Sequence, residues 1–281
     1  MSVGAGGPAG AERRPDRVFA GYVFDLDGTV YLGDALLPGA GEAIAGLRRA
    51  GARVVFVTNK PLESGDVYAA KLERLGVPAR RADVVTSVDS LVGYLHREHP
   101  TARLLCVTED STRDELAAAG FVVTADPARS QVVVVSFDRT FDYAKLNAAY
   151  RAVKHHGATI VATNPDPYCP TPDGGLPDCA AMLAAIEACT GAHAEAVVGK
   201  PSVHMARALE ERLGLAAADV AVVGDRLLTD VAMAHSLGMT GVLVLTGATT
   251  LADVQAGGVS PDFVIDGLGQ LLPPDRSSAR R

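Results

Sequence analysis

The chain has 281 residues, 48% hydrophobic and 21% charged, so it carries enough apolar material for a buried core and is not a disordered chain. Lys and Arg number 26 against 33 Asp and Glu, a formal charge of −7 with no basic block, which argues against a protein that lives on nucleic-acid backbones or anionic membranes. No uninterrupted apolar run reaches the ~18–20 residues of a membrane helix.

Residues 1–17, rich in Gly, Ala, Arg and Pro, lack the apolar segment of a signal peptide and read as a disordered tail. VFAGYVF (18–24) reads as a strand, 39–51 as a helix closed by glycine, and RVVFVT (53–58) as a strand. Residues 63–76 read as a helix with Val67, Ala70, Leu72 and Leu75 on its apolar side. The middle of the chain predicts helix 88–98, strand 103–107, helix 111–119, strand 131–137, helix 143–156, strand 159–163 and helix 179–190. Helix 202–214, strand 219–224, helix 229–238 and strands 241–247 and 262–266 follow, and 273–281 reads as a second tail. Strand–helix–strand order at this spacing implies right-handed crossovers and an α/β fold: a doubly wound, mostly parallel, Rossmann-like sheet. The predicted division is a core of 18–84 and 195–272, with 85–194 forming an inserted α/β domain. Cysteines 106, 169, 179 and 189 form no C-x-x-C pair; they read as reduced, mostly buried thiols of a cytoplasmic protein.

Three strands end in polar clusters: VFDLDGT (23–29), VFVTNK (55–60) and AVVGDRLLTD (221–230). In an open parallel sheet the strands end at a common carboxyl edge where ligands bind, so clusters distant in sequence can meet there. Asp25 and Asp27, at i and i+2, point the same way on extended chain, and Gly28 lets the backbone turn after them. Two close carboxylates need a cation or a shared proton, and a hard divalent metal with oxygen ligands supplies the former. Taken alone, an Asp-Gly pair reads first as a turn. Thr58, Asn59 and Lys60 offer donors for phosphate oxygens, or form an ordinary strand-to-helix loop. Lys200, in VVGKPS, opposes a helix dipole unless it faces negative charge, or it is a solvated surface lysine. Asp225 ends a strand and can complete a metal site; Asp230 reads as either a metal-site neighbour or a helix cap.

Together these residues resemble the haloacid dehalogenase (HAD) superfamily of phosphohydrolases: DLDGT (25–29) its first motif, the Thr58 region its second, Lys200 its third and GDRLLTD (224–230) its fourth. The long interval between Asn59 and Lys200 resembles the class IIA (NagD-type) subgroup, in which an α/β cap of C2a type is inserted there. The resemblance implies Asp25 as nucleophile and Asp27 as acid and then base. It implies Mg2+ held by Asp25, the main-chain carbonyl of Asp27, and Asp225, with Asp230 behind them orienting a metal water or Lys200. Thr58, Asn59 and Lys200 would hold the phosphate. The subgroup has a second asparagine where this chain has Lys60; the Lys60 N–H could still serve phosphate, while its side chain either favours a second anionic group on the substrate or points into solvent.

Asn164, Asp166, Tyr168 and Asp173 lie in a Pro/Gly-rich loop that either faces the leaving group or is purely structural. The expected activity is Mg2+-dependent hydrolysis of a small phosphorylated metabolite, a sugar or polyol phosphate, with no nucleic-acid or membrane partner. A phosphotransferase or mutase, and a non-catalytic regulatory module, are the alternatives. Dimers through the cap accord with the subgroup, though no residue here signals one.

Overall fold

The computed structural model describes residues 14–169 and 175–272. Asp173 and most of the two expected tails lie outside the described residues. Of the expected N-terminal tail, residues 14–17 are described and are tied to the fold: Pro15 is buried, and Arg17 donates to the Ala218 carbonyl at 2.9 Å while lying over the Phe19 ring. Two compact units emerge, one from residues 14–57, 72–78 and 212–272, the other from 58–71 and 79–211. No helix among the described residues is long and apolar enough to cross a membrane.

In the first unit, strands run parallel in the order Phe263–Ile265, Thr240–Val244, Val220–Gly224, Gly21–Asp25, Arg53–Thr58. Every residue of Gly21–Asp25 and of Val220–Gly224 is buried, as strands covered on both faces require. The register pairs Phe24 with Val223, so Asp25 and Gly224 reach the carboxyl edge together and Asp225 follows at once. That register brings two distant acidic clusters to adjacent strand ends. Helix Ala40–Arg49 buries Ala40, Ala43, Ile44 and Leu47, an i, i+3, i+4, i+7 stripe on one face.

The second unit has its own parallel sheet, ordered Ala196–Val197, Thr159–Ala162, Val132–Val135, Arg103–Val107, Val122–Val123. Alternate residues serve opposite faces. Val133, Val135 and Ile160 pack with Ala149, Ala152, Met182 and Ile186 from helices Tyr143–His156 and Cys179–Thr190. Val132, Val134 and Val161 pack with Leu91, Leu95 and Leu116 from helices Ser87–Glu98 and Asp110–Ala118. The sheet includes Ala196–Val197, so it runs past the expected boundary at 194; a two-residue strand carries no period for a sequence reading to find.

Helix Gly65–Arg74 buries Leu72 as expected but otherwise turns a different face inward, with Ala70 exposed and Leu75, just after it, half-buried. Val67 is 47% exposed, whereas Tyr68, Ala69 and Leu72 are buried. Tyr68 buries its ring and keeps its hydroxyl paired with the Lys60 carbonyl at 2.9 Å, an arrangement that counting Val and Leu alone overlooks. Cys189 is exposed and Cys106 half-buried, while Cys169 and Cys179 are buried as expected; among the described residues none of the four forms a disulfide.

On helix Asp110–Ala118, Glu115 lies near Asp89, Arg81 and Asp66, and its Oε1 has no hydrogen-bond partner among the described residues. Burial first, then the Asp89 carboxylate, raises its pKa from 4.5 to about 7 against the opposing pull of Arg81. As pH rises from 4.5 to about 7 the unfolded chain releases this proton while the folded protein retains it, so stability falls across that window. Glu115→Gln is expected to raise the Tm above pH 7 and to give a shrinking gain toward pH 4. Thermal unfolding across that range checks this; a gain that does not vary with pH would contradict the ionisation account.

Candidate active site

The first unit gathers three carboxylates. One oxygen each from Asp25, Asp225 and Asp230 lies within 4.8 Å of the others, and all three residues are buried. Asp25 is the last residue of its strand, and Asp225 follows the last residue of the next. Asp230 comes from a single π-helical turn, Leu227–Val231, in which the Val231 N–H reaches back five residues to the Arg226 carbonyl. Its Oδ2 accepts the Arg226 N–H at 3.1 Å, which folds the carboxylate back toward the strand end. It therefore does not cap the next helix, Ala232–Ser236, whose start has no side-chain cap. π turns inside helices are frequent at functional sites.

The loops around this group leave no room for side chains. A Cβ on Gly224 would overlap the Asp230 carboxylate, and one on Gly247 the Asp225 carboxylate. Gly28 has φ +85, the left-handed region that favours glycine, and a Cβ there would lie 2.8 Å from Asp225 Oδ2. Asp225 Oδ2 accepts the Ala248 N–H at 2.6 Å, and the Thr246 hydroxyl donates to the Gly28 carbonyl at 2.6 Å. Asp27 is half-buried in the tight turn after the strand, where the Gly28 N–H donates to the Tyr31 carbonyl at 2.8 Å. Its carboxylate is not one of the three that converge.

Three buried carboxylates this close repel unless a cation or protons intervene. The donors are all hard oxygens with no His or Cys among them, which fits a divalent cation such as Mg2+ and not zinc. Asp25, Asp225 and Asp230 are thus the side chains suited to hold one. Asp230 stands level with the other two, where the sequence reading set it behind them.

The second unit holds the other expected residues. Thr58 is buried, and its Oγ1 accepts the Lys60 N–H at 3.1 Å, which leaves the hydroxyl hydrogen for an acceptor such as phosphate. The same bond commits the Lys60 N–H, which the sequence reading had offered to phosphate. Lys200 is buried, in the turn before helix Val203–Leu213, and Ser202 caps that helix through the Met205 N–H. Asn59 does something the sequence reading did not foresee. Its Oδ1 accepts the Lys200 N–H at 2.7 Å, and its Nδ2 donates to the Lys200 carbonyl at 3.2 Å and to Asp166 Oδ2 at 2.9 Å. The side chain assigned to phosphate is spent on the backbone of Lys200.

The loop 163–169 divides in the same way. Asn164 is fully buried and donates to the Asn59 carbonyl at 3.2 Å, so it is a structural residue of the loop. Asp166 is half-buried. Tyr168, 49% exposed, lies on a two-residue strand paired antiparallel with Leu176–Pro177 and is open to a ligand. Asp178, which the sequence reading passed over, is buried at the start of helix Cys179–Thr190 and accepts the Cys179 N–H. Burial raises its pKa from 3.8 to about 6. An acidic residue before an Ala-rich run is the capping signal that could have found it.

Comparison with known proteins places these residues in context. Residues 22–122 match the family model described as haloacid dehalogenase-like hydrolase, and 197–271 match a HAD-hydrolase-like model. The chain is 36% identical to the sugar-phosphatase AraL of Bacillus subtilis (strain 168) over 89% of its own length and 90% of the relative's. The crystal structure of 4-nitrophenylphosphatase from Thermotoga maritima superposes with a TM-score of 0.85 at 34% identity, covering 90% of this chain and 96% of that one. Glycerol phosphate phosphatase from Mycobacterium tuberculosis, in complex with magnesium, gives 0.83 at 34% identity, covering 90% and 76%.

Proposed function

This chain belongs to the haloacid dehalogenase-like hydrolases and is a phosphatase, and from that premise we propose that it hydrolyses a small phosphorylated sugar or polyol, with Mg2+, through a phosphoryl group carried on Asp25. The convergence of Asp25, Asp225 and Asp230 carries the reading: three buried carboxylates are costly in a folded chain unless something uses their charge. A bound Mg2+ would offset the charge of the carboxylates and of the incoming phosphate, so that one anion can approach another.

In the proposed reaction an Asp25 carboxylate oxygen bonds to phosphorus as the bond from phosphorus to the leaving oxygen breaks. Asp27, half-buried and outside the carboxylate group, gives its proton to that leaving oxygen. It then takes a proton from the water that attacks phosphorus, which returns Asp25 as a carboxylate and releases inorganic phosphate. Thr58 would donate its hydroxyl hydrogen to a phosphate oxygen, and Lys200 would supply the positive charge that a loose phosphoryl transition state requires.

We assign selection of the leaving group to the second unit, which contains the expected cap 85–194. Among its described residues, Tyr168, 49% exposed, suits a hydroxylated leaving group, and Lys60, half-buried, suits a second anionic group on the substrate. AraL by name acts on sugar phosphates, and the Mycobacterium enzyme on glycerol phosphate, which supports a sugar or polyol here. Four cysteines outside any disulfide among the described residues accord with a reducing, cytoplasmic setting.

Phosphate release from a panel of ~100 phosphate monoesters, with Mg2+ and with a chelator, tests the reading. The expected result is turnover that stops on chelation, with sugar or polyol phosphates giving a higher kcat/KM than aryl phosphates. Chelator-insensitive turnover, or transfer to added polyols in preference to water, would contradict it.

A further inference from the structure

We propose that Asp166 is a positioning residue for the lysine at 200, acting through Asn59; the proposal rests on the reading of Lys200 as the cation that meets phosphate. The Asn59 amide grips the Lys200 backbone on both sides of its Cα, at the N–H and at the carbonyl, at 2.7 and 3.2 Å. That grip needs one orientation of the amide. Rotated by half a turn, Asn59 would set its NH2 against the Lys200 N–H and its oxygen against the Lys200 carbonyl. Asp166 selects the orientation, because an ionised carboxylate only accepts, and it takes the Nδ2 hydrogen at 2.9 Å.

The surroundings hold this relay in place. The Asn59 carbonyl accepts from the Ser87 hydroxyl at 2.8 Å and from Asn164 Nδ2 at 3.2 Å. Asn164 Oδ1 in turn accepts the Asp166 N–H at 2.9 Å, which fixes the backbone from which Asp166 projects. Gly199 allows the close approach: a Cβ there would overlap the Thr163 carbonyl and lie 2.7 Å from Asn59 Oδ1. Loop 163–166, whose sequence left open whether it faces the leaving group or is purely structural, thereby reaches the lysine backbone through Asn59. Asp166 acts on the phosphate end of the substrate, common to every monoester, and not on the variable end.

The test compares Asp166→Ala, Asp166→Asn, Lys200→Ala and the Asp166→Ala/Lys200→Ala double variant of the full chain. Two readouts are used: calorimetric affinity for inorganic phosphate with Mg2+, and KM and kcat for one aryl and one sugar phosphate. Asp166→Ala is expected to weaken phosphate binding about tenfold, the scale of one lost hydrogen bond to a charged group. KM should rise by the same factor for both substrates. Asp166→Asn, whose amide oxygen still accepts from Asn59, should recover most of that loss. In the Lys200→Ala background, removing Asp166 should cost nothing further. Changed preference between the substrates at unchanged phosphate affinity would overturn the proposal, since Asp166 would then touch the leaving group. Losses that multiply in the double variant would overturn it too. If Lys200→Ala itself leaves phosphate affinity intact, the reading of Lys200 fails and this inference with it, an outcome separable from failure at Asp166 alone.

Discussion

Asp25→Asn is expected to lower turnover by roughly 10⁴-fold or more while the protein still folds. The two side chains have the same shape, so the buried strand end keeps its packing. The amide cannot form the bond to phosphorus that the proposed first step requires. Folding should even become easier without divalent cation, because one of three mutually repelling carboxylates is gone. The pairing of near-complete inactivity with an undiminished Tm in chelator distinguishes a nucleophile from a structural residue. Steady-state kinetics and thermal unfolding check both halves; more than a tenth of wild-type activity would remove Asp25 from its role.

Asp225→Asn should separate the cation's two effects. In the wild type, a cation that binds only the folded chain stabilises it by about 2.7 kcal/mol at a hundredfold excess over Kd, several degrees of Tm. The variant keeps an oxygen able to accept the Ala248 N–H, so its loop stays closed. It loses a charge from the group of three, so its Tm in chelator should rise above the wild type's and its response to added Mg2+ should shrink markedly. Activity should fall at least a hundredfold at modest Mg2+ and recover in part at high Mg2+. Equal Mg2+-induced shifts in the two proteins would mean that the carboxylates do not hold the ion.

The parts of this molecule that were legible in its sequence are those with a period or a boundary. The first unit's parallel strands are near-continuous apolar runs that stop abruptly at Asp25, Thr58 and Asp225, and the polar residue at each stop marks the carboxyl edge. In the second unit, strands Val132–Val135 and Thr159–Ala162 were legible for the same reason. What escaped depends on contacts with no period. The bonds of Asn59 to Asp166 and to Lys200 span 107 and 141 residues, so nothing near Asn59 announces that its amide serves a backbone and not a ligand. Asp230 reads as either a metal-site neighbour or a cap because Asp is common at helix starts; the π turn beneath it decides between them by showing where its carboxylate goes. Tyr68 was overlooked because a tyrosine with a paired hydroxyl buries as well as a leucine.

The most direct test is chemical capture of the phosphoryl group. Full-length protein carrying Asp27→Asn, which should slow the water step, is mixed with substrate and Mg2+, quenched in acid within the first turnover, reduced with borohydride and mapped by mass spectrometry. The account predicts conversion of residue 25 from aspartate to homoserine, the reduction product of an aspartyl-phosphate, dependent on substrate and abolished by chelator. Phosphate released with no modified residue, or a modification at any position other than 25, would contradict it.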